Sequence, residues 1–186
     1  MHLNAVPVQE RAETVPFVWP NESRVNDALN VESYSADTVM DREAFESVQD
    51  SIGWSVTEEQ WLLISTEVIE GSMVVISQSE KAVAVACGLL RPDSWVELAW
   101  VAVAPAHRSL GIGKMVCGTV VRQLLSTGNS KIFGSTQDER LSAIKIYLDI
   151  GFYPLYRKEK VERWRSICQK LERPFTPSDW RWPSDA

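Results

Sequence analysis

Histidine is almost missing from this chain, with His2 and His107 its two examples, and cysteine is scarce at three, Cys87, Cys117 and Cys168. The cysteines stand far apart and in no metal-ligand spacing, and His2 falls in a terminal stretch. Neither a metal site nor a Ser-His-Asp arrangement has credible residues to draw on. The same thiols lie within apolar patterns, which reads as buried thiols of a reducing compartment rather than disulfides. Positive charge is also short, with 19 Lys and Arg against 25 Asp and Glu for a formal charge of -6. Such a chain is ill suited to following a phosphate backbone, although one local anion site is still open to it. A basic-then-apolar leader is lacking, as is any apolar run near the roughly 20 residues of a bilayer span. The expectations are a cytoplasmic location with no nucleic acid and no membrane among the partners.

What is present suits one compact domain: 186 residues, 45% hydrophobic and 24% charged. Eight tryptophans are many for this length, and Trp164, Trp180 and Trp182 cluster near the C-terminus, where large rings pin a terminal segment or line an interface, simple packing being the favoured reading. The chain divides into an N-terminal extension with an edge segment (1–35), a main domain (36–172) and a Trp/Pro-rich tail (173–186). Pro7, Pro16 and Pro20 argue that Val15–Trp19 is an edge or covering segment, because a central strand loses ladder bonds at proline.

Periodicity supplies the elements. Glu32–Thr38 reads as a short strand. Asp41–Val48 reads as a helix, and Thr57 with Gln60 as the start of a second, whose buried stripe is Trp61, Leu62, Ile64 and Val68 and whose stop is Gly71. Met73–Ser77, Ala82–Leu90 and Trp95–Val103 alternate as strands with short polar turns between them, so they form an antiparallel meander. Leu110–Leu125 is helical and Ile132–Ser135 a strand, together a parallel crossover with the strand before them. Ser142–Leu148, ended by Gly151, is a helix, Phe152–Arg157 a strand, and Val161–Leu171 a last helix.

The most informative segment is Val101-Ala102-Val103-Ala104-Pro105-Ala106-His107-Arg108-Ser109-Leu110-Gly111-Ile112-Gly113-Lys114, where a strand ends and a glycine-spaced turn runs into a helix. Glycines allow close backbone approach, first-turn N–H groups are uncovered, and the helix dipole adds positive potential. Arg108 and Lys114 add formal charge, which together makes a site for phosphate oxygens. It is no P-loop: Arg108 stands where the first glycine belongs, and Met115 follows Lys114. It is no dinucleotide fingerprint either, since Val116 replaces the third glycine. The bland alternative is that Gly111 and Gly113 only shape a turn.

Arg108-Ser109-Leu110-Gly111-Ile112-Gly113 resembles the Arg/Gln-x-x-Gly-x-Gly/Ala signature of the GNAT superfamily of acyl-CoA-dependent N-acyltransferases. Ala143-Ile144-Lys145-Ile146-Tyr147-Leu148-Asp149-Ile150-Gly151-Phe152 is similar to its Ala-x-x-x-Tyr-x-x-x-Gly-Phe helix. The similarity is clear over 72–157. It implies an α/β GNAT-like fold: a central mixed sheet with an antiparallel meander, a parallel β-α-β crossover and helices on both faces. It implies acetyl-CoA as acyl donor, its pyrophosphate over Arg108, Ser109 and the amides of Leu110, Gly111, Ile112, Gly113 and Lys114. The backbone of Val101, Ala102 and Val103 would lie along the pantetheine arm, with the amide of Val101 or Val103 as an oxyanion-hole donor. Two departures stand out: Arg140 replaces an asparagine frequent in the family, and Val161–Leu171 reads as a helix where many members close with a strand hairpin.

For the chemistry, Glu97 sits in an apolar strand. It either faces solvent or points into a cleft as the base that deprotonates an amine, the position at which some family members carry that glutamate; others relay through water. Period 2 places it on one face with Ala99, Val101 and Val103. Tyr147 matches the tyrosine that many members hold near the CoA sulfur as general acid; alone it is also read as a packing aromatic. His107 reads as an exposed residue or a minor phosphate neighbour. The expected function is transfer of acetyl from acetyl-CoA to a primary amine. The alternatives are a non-catalytic acyl-CoA-binding module and an oligomer assembled through the Trp-rich tail. The expected acceptor is a small-molecule or peptide amine, mildly favoured as cationic by the net charge, and a homodimer is an expected assembly.

Overall fold

The computed structural model describes residues 14–19, 34–155 and 161–180. Its strands are β1 (Thr14–Val18), β2 (Ser35–Thr38), β3 (Val74–Gln78), β4 (Lys81–Arg91), β5 (Trp95–Val103), β6 (Ile132–Gln137) and β7 (Tyr153–Pro154). The α-helices are α1 (Arg42–Ser51), α2 (Glu58–Glu67), α3 (Ile112–Ser126), α4 (Leu141–Ile150) and α5 (Val161–Lys170). One mixed sheet runs in the order β2-β3-β4-β5-β6-β1-β7. β2 to β5 are antiparallel neighbours, β3–β4 and β4–β5 through short turns and β2–β3 through α1 and α2, while β5 and β6 are parallel and joined through α3. No helix among the described residues is long and apolar enough to cross a membrane.

Local chemistry sets the helix starts. The Asp41 carboxylate accepts the Ala44 N–H at 3.0 Å, capping α1. Thr57 and Gln60 exchange bonds of 3.2 and 3.0 Å, the reciprocal cap expected from their spacing. α1 and α2 cover one face of the sheet, with Phe45, Val48 and Ile64 packed on Val85, Cys87 and Leu89. α3, α4 and α5 cover the other, with Val116, Tyr147 and Trp164 in a cluster with Val96 and Leu98. Leu62, read from its spacing as part of the α2 stripe, is instead 66% exposed, and Ile64 carries the burial. Leu62 precedes Ile64 by two residues, about 200° around the helix, so when Ile64 faces the sheet Leu62 turns to solvent.

The N-terminal strand overturns the expectation of an edge. β1 lies between β6 and β7, antiparallel to both. Proline is tolerated there for a geometric reason. The Trp19 N–H bonds the Ile132 carbonyl at 2.8 Å, so by strand alternation Pro16 turns its nitrogen away from β6. On that other side β7 pairs with Phe17 and Val18, so Pro16 forfeits no ladder bond to the described residues. Phe17 and Trp19 are buried in the core. The strand expected over Phe152–Arg157 is the two-residue β7; residues 156 and 157 lie outside the described residues, as do Glu32, Ser33 and Trp182.

Candidate active site

Three pieces of backbone meet where β5 leaves β6. The parallel pairing runs over Val96–Leu98 against Ile132–Gly134 and no further, although both strands continue. Beyond that fork the polar groups of β5 face an unpaired side. The Ala104 N–H bonds the Val83 carbonyl at 2.8 Å, so Ala102 also turns toward β4, opposite Val85, and Val101 and Val103 turn their N–H and C=O groups toward the fork. The expected trio is thereby split, with Val101 and Val103 at the fork and Ala102 turned into the sheet.

A bulge causes a second departure from simple alternation. Pairing with β4 passes from Cys87 opposite Ala99 to Val85 opposite Ala102, so Trp100 and Val101 oppose one residue. Trp100 takes φ 55°, a left-handed conformation unfavourable for a bulky residue. The bulge reverses the faces. Ala99, Trp100 and Ala102 pack on the α1–α2 side, whereas Val101 and Val103 pack on the α3–α4 side. Glu97, opposite Leu89, shares the α1–α2 face with Ala99 but not with Val101 and Val103, contrary to unbroken period 2. No sequence pattern announces this bulge; the one sign is an uninterrupted apolar run through Trp100 where a polar alternation is absent.

The turn into α3 lies at the open end of the fork. Ser109 at φ 63° and Gly111 at φ 83° bend the chain, and Gly111 forms the N-cap of α3 without any side-chain cap. The first-turn N–H groups of α3 therefore have no side-chain cap among the described residues, which is the arrangement that receives an anion. Arg108 is exposed, and its Nε donates to the Val103 carbonyl at 3.2 Å, holding the cation beside the end of β5. Gly113 lies at a close α3–α4 approach: a Cβ there would stand 2.7 Å from the terminal Cδ1 of Ile146, which would have to turn aside. Ile112 is buried, Leu110 is half exposed and Lys114 is half-buried. His107 donates or accepts at Nδ1 with the Tyr34 hydroxyl, 3.1 Å away, which ties the start of β2 to this turn.

Tyr147 reaches the closed end of the fork from the α3–α4 face. It is 4% exposed, its ring edge-on to Phe17, with centroids 5.2 Å apart. A Cβ added to Gly134, the last β6 residue paired with β5, would lie 3.7 Å from Tyr147 Cε2 and Cζ, so the hydroxyl-bearing end of the ring sits over the point of divergence. Burial pushes the phenol well above its usual range. The charges of Cys117 and Glu97 add to the rise, and Arg140 partly opposes it. At neutral pH the phenol therefore keeps its proton.

Glu97 reaches the same region from the opposite face. Its carboxylate accepts from Arg91 Nε at 2.8 Å, and Arg91 is shared with Glu67 of α2. Sequence reasoning missed Arg91, Glu67, Trp100 and the buried Gln49. Arg91 was within reach of it, since closing the β4–β5 hairpin pairs Arg91 with Trp95 and Leu89 with Glu97. Cys87 lies against Ala99 on this face, and burial, then the charge of Glu97, push its thiol up to about 12. It is therefore protonated at neutral pH and unsuited to carry an acyl group.

Comparison with known proteins agrees with this geometry. Residues 36–152 match the family model described as the acetyltransferase (GNAT) family. Among solved structures, a GCN5-related N-acetyltransferase from Sphaerobacter thermophilus superposes with TM-score 0.65 at 18% identity, over 76% of this chain and 48% of that one. A GNAT-family acetyltransferase from Colwellia psychrerythraea gives 0.58 at 19% identity, over 77% and 53%. The ribosomal-protein-S18-alanine N-acetyltransferase from Escherichia coli gives 0.54 at 16% identity, over 63% and 76%. The chain thus spans about half the length of the first two structures. No curated protein matched the sequence. The chain belongs to the GNAT acetyltransferase family, with the α/β fold of that family.

Proposed function

We propose that the chain transfers an acetyl group from acetyl-CoA to a primary amine by direct attack. The observation that carries this reading is the parting of β5 from β6 between an uncapped helix N-terminus and a buried phenol. The fit to an acyl-CoA is chemical. First-turn amides of α3 with Arg108 and Lys114 suit a pyrophosphate, and the fork-facing backbone of Val101 and the Val103 N–H suit the amides of a pantetheine arm, the Val103 carbonyl being held by Arg108. Acetyl-CoA, when bound, supplies the activated acyl group and a thiol leaving group. Glu97, on the α1–α2 face, receives the proton of the incoming ammonium. The amide of Val101 or Val103 donates to the developing oxyanion. Tyr147, on the α3–α4 face, gives its proton toward the departing sulfur. Base and acid thus work from opposite faces of one sheet at a single gap.

The ion pair of Glu97 with Arg91 favours a second reading, an acyl-CoA-binding module without turnover, because a carboxylate held by a guanidinium is engaged elsewhere. Two variants separate them. Arg108→Glu, at an exposed position, should weaken acetyl-CoA binding by ten- to a hundred-fold in calorimetry, the equivalent of about 1.5–3 kcal/mol for a charged hydrogen bond. Tyr147→Phe should leave affinity and melting temperature near wild type and lower kcat, with about 10²-fold expected at the low end for a displaced acid. Unchanged binding in Arg108→Glu contradicts the cradle. Thiol release in neither wild type nor Tyr147→Phe favours the module.

A further inference from the structure

The α1–α2 face beside Glu97 carries a continuous aromatic series. Trp61 meets Phe45 at 5.6 Å, Phe45 meets Trp100 at 5.8 Å, and Trp100 meets Trp54 at 6.3 Å and 86°. Phe45 is fully buried, but Trp54, in the connection between α1 and α2, is 47% exposed. An edge-on pair leaves indole surface uncovered, and an indole left half in water beside a reaction gap is a wall that a flat apolar group would cover.

The position of Trp100 is enforced rather than incidental. It holds a left-handed φ of 55°, and its carbonyl is fixed by the side-chain amide of the buried Gln49 at 2.9 Å. Strain of this kind persists where surrounding structure over-determines it. Two ion-pair groups on this face carry a surplus of carboxylate. Arg91 is shared by Glu67 and Glu97, and Arg42, lying over Trp61, is shared by Glu46 and Glu58. Each group holds two carboxylates for one guanidinium, a net negative charge.

We infer that this face selects the acceptor, and that the acceptor is a primary amine joined by a short alkyl link to a flat aromatic body. The inference rests on the acyl-transfer reading for the direction of the reacting amine and on the Trp54–Trp100 wall for the body. The ammonium sits toward Glu97, whose surplus charge attracts it, and the ring lies against Trp54 and Trp100. Glu97 and Trp100 are three residues apart on one strand face, about 10 Å of backbone, which the two side chains shorten from both ends. A long polyamine gains the charge but leaves the indoles uncovered.

The test uses 2-phenylethylamine and butylamine, which share an amine and differ in the ring. With CoA present, calorimetry should show 2-phenylethylamine binding at least tenfold more tightly than butylamine. Trp54→Ala should remove most of that preference while acetyl-CoA affinity stays unchanged. In turnover, the same variant should raise the KM for 2-phenylethylamine and leave kcat close to wild type. Equal binding of the two amines, or a preference that survives Trp54→Ala, overturns the inference even if acetyl transfer is observed. Ring-selective binding without thiol release sustains the inference and sinks the acyl-transfer reading instead.

Discussion

The side-chain amide of Gln49 on α1 donates to the carbonyl of Trp100 at the β5 bulge, so a residue on a helix fixes the backbone beside the reaction gap. Gln49→Leu removes that donor and leaves a carbonyl without its partner. Unfolding free energy should fall by about 1–3 kcal/mol. Amine turnover should fall while acetyl-CoA affinity, which depends on the far side of β5, is retained. Parallel denaturation and calorimetry check both; loss of CoA binding in a folded variant would show that the bulge serves the donor instead.

Glu97→Gln tests the base. Turnover should drop by about 10²–10⁴-fold, the range for a lost general base, and most steeply at low pH, where neutral amine is scarcest. CoA affinity should hold. A pH–rate profile that keeps its wild-type shape and height assigns deprotonation to water.

Much of this was legible in the sequence. Thr57 and Gln60 announced their cap, and Arg108–Gly113 announced the turn before a helix. Tyr147 and Gly151 fell where the second signature places them, with Gly151 ending α4 at φ 115°. What escaped was non-local. Trp100 looks like any strand residue until its pairing with β4 slips, and that slip alone separates Glu97 from Val101 and Val103. The place of β1 escaped for the same reason: Pro16 forbids a ladder bond on one side only, and sequence does not say which side is occupied.

Because β1 fills an interior place, Phe17 should behave as a core residue. Phe17→Ala should cost about 3–5 kcal/mol, since its ring is fully buried between Tyr147 and Trp164. A loss under 1 kcal/mol in denaturant titration would mean that β1 contributes little.

Alkali should unfold the protein by a definite route. Burial pushes the thiols of Cys87 and Cys117 from 9.0 up to about 12, and the phenol of Tyr147 rises above its usual 10.0 as well. Each folded value lies above the unfolded one, so the unfolded chain loses these protons first. The stabilisation is complete below pH 9.0 and is lost progressively as pH climbs toward about 12. Urea midpoints across that window should fall, and fall less steeply in Cys87→Ala/Cys117→Ala than in wild type. Equal slopes would assign alkaline unfolding to other groups.

The most direct measurement is free-thiol release from acetyl-CoA by the wild-type chain, with and without primary amine, paired with mass analysis of the amine. The geometry of Glu97, Tyr147 and the α3 turn predicts amine-dependent thiol release, matched mole for mole by acetylated amine. Tight acetyl-CoA binding with no amine-dependent release would contradict acetyl transfer.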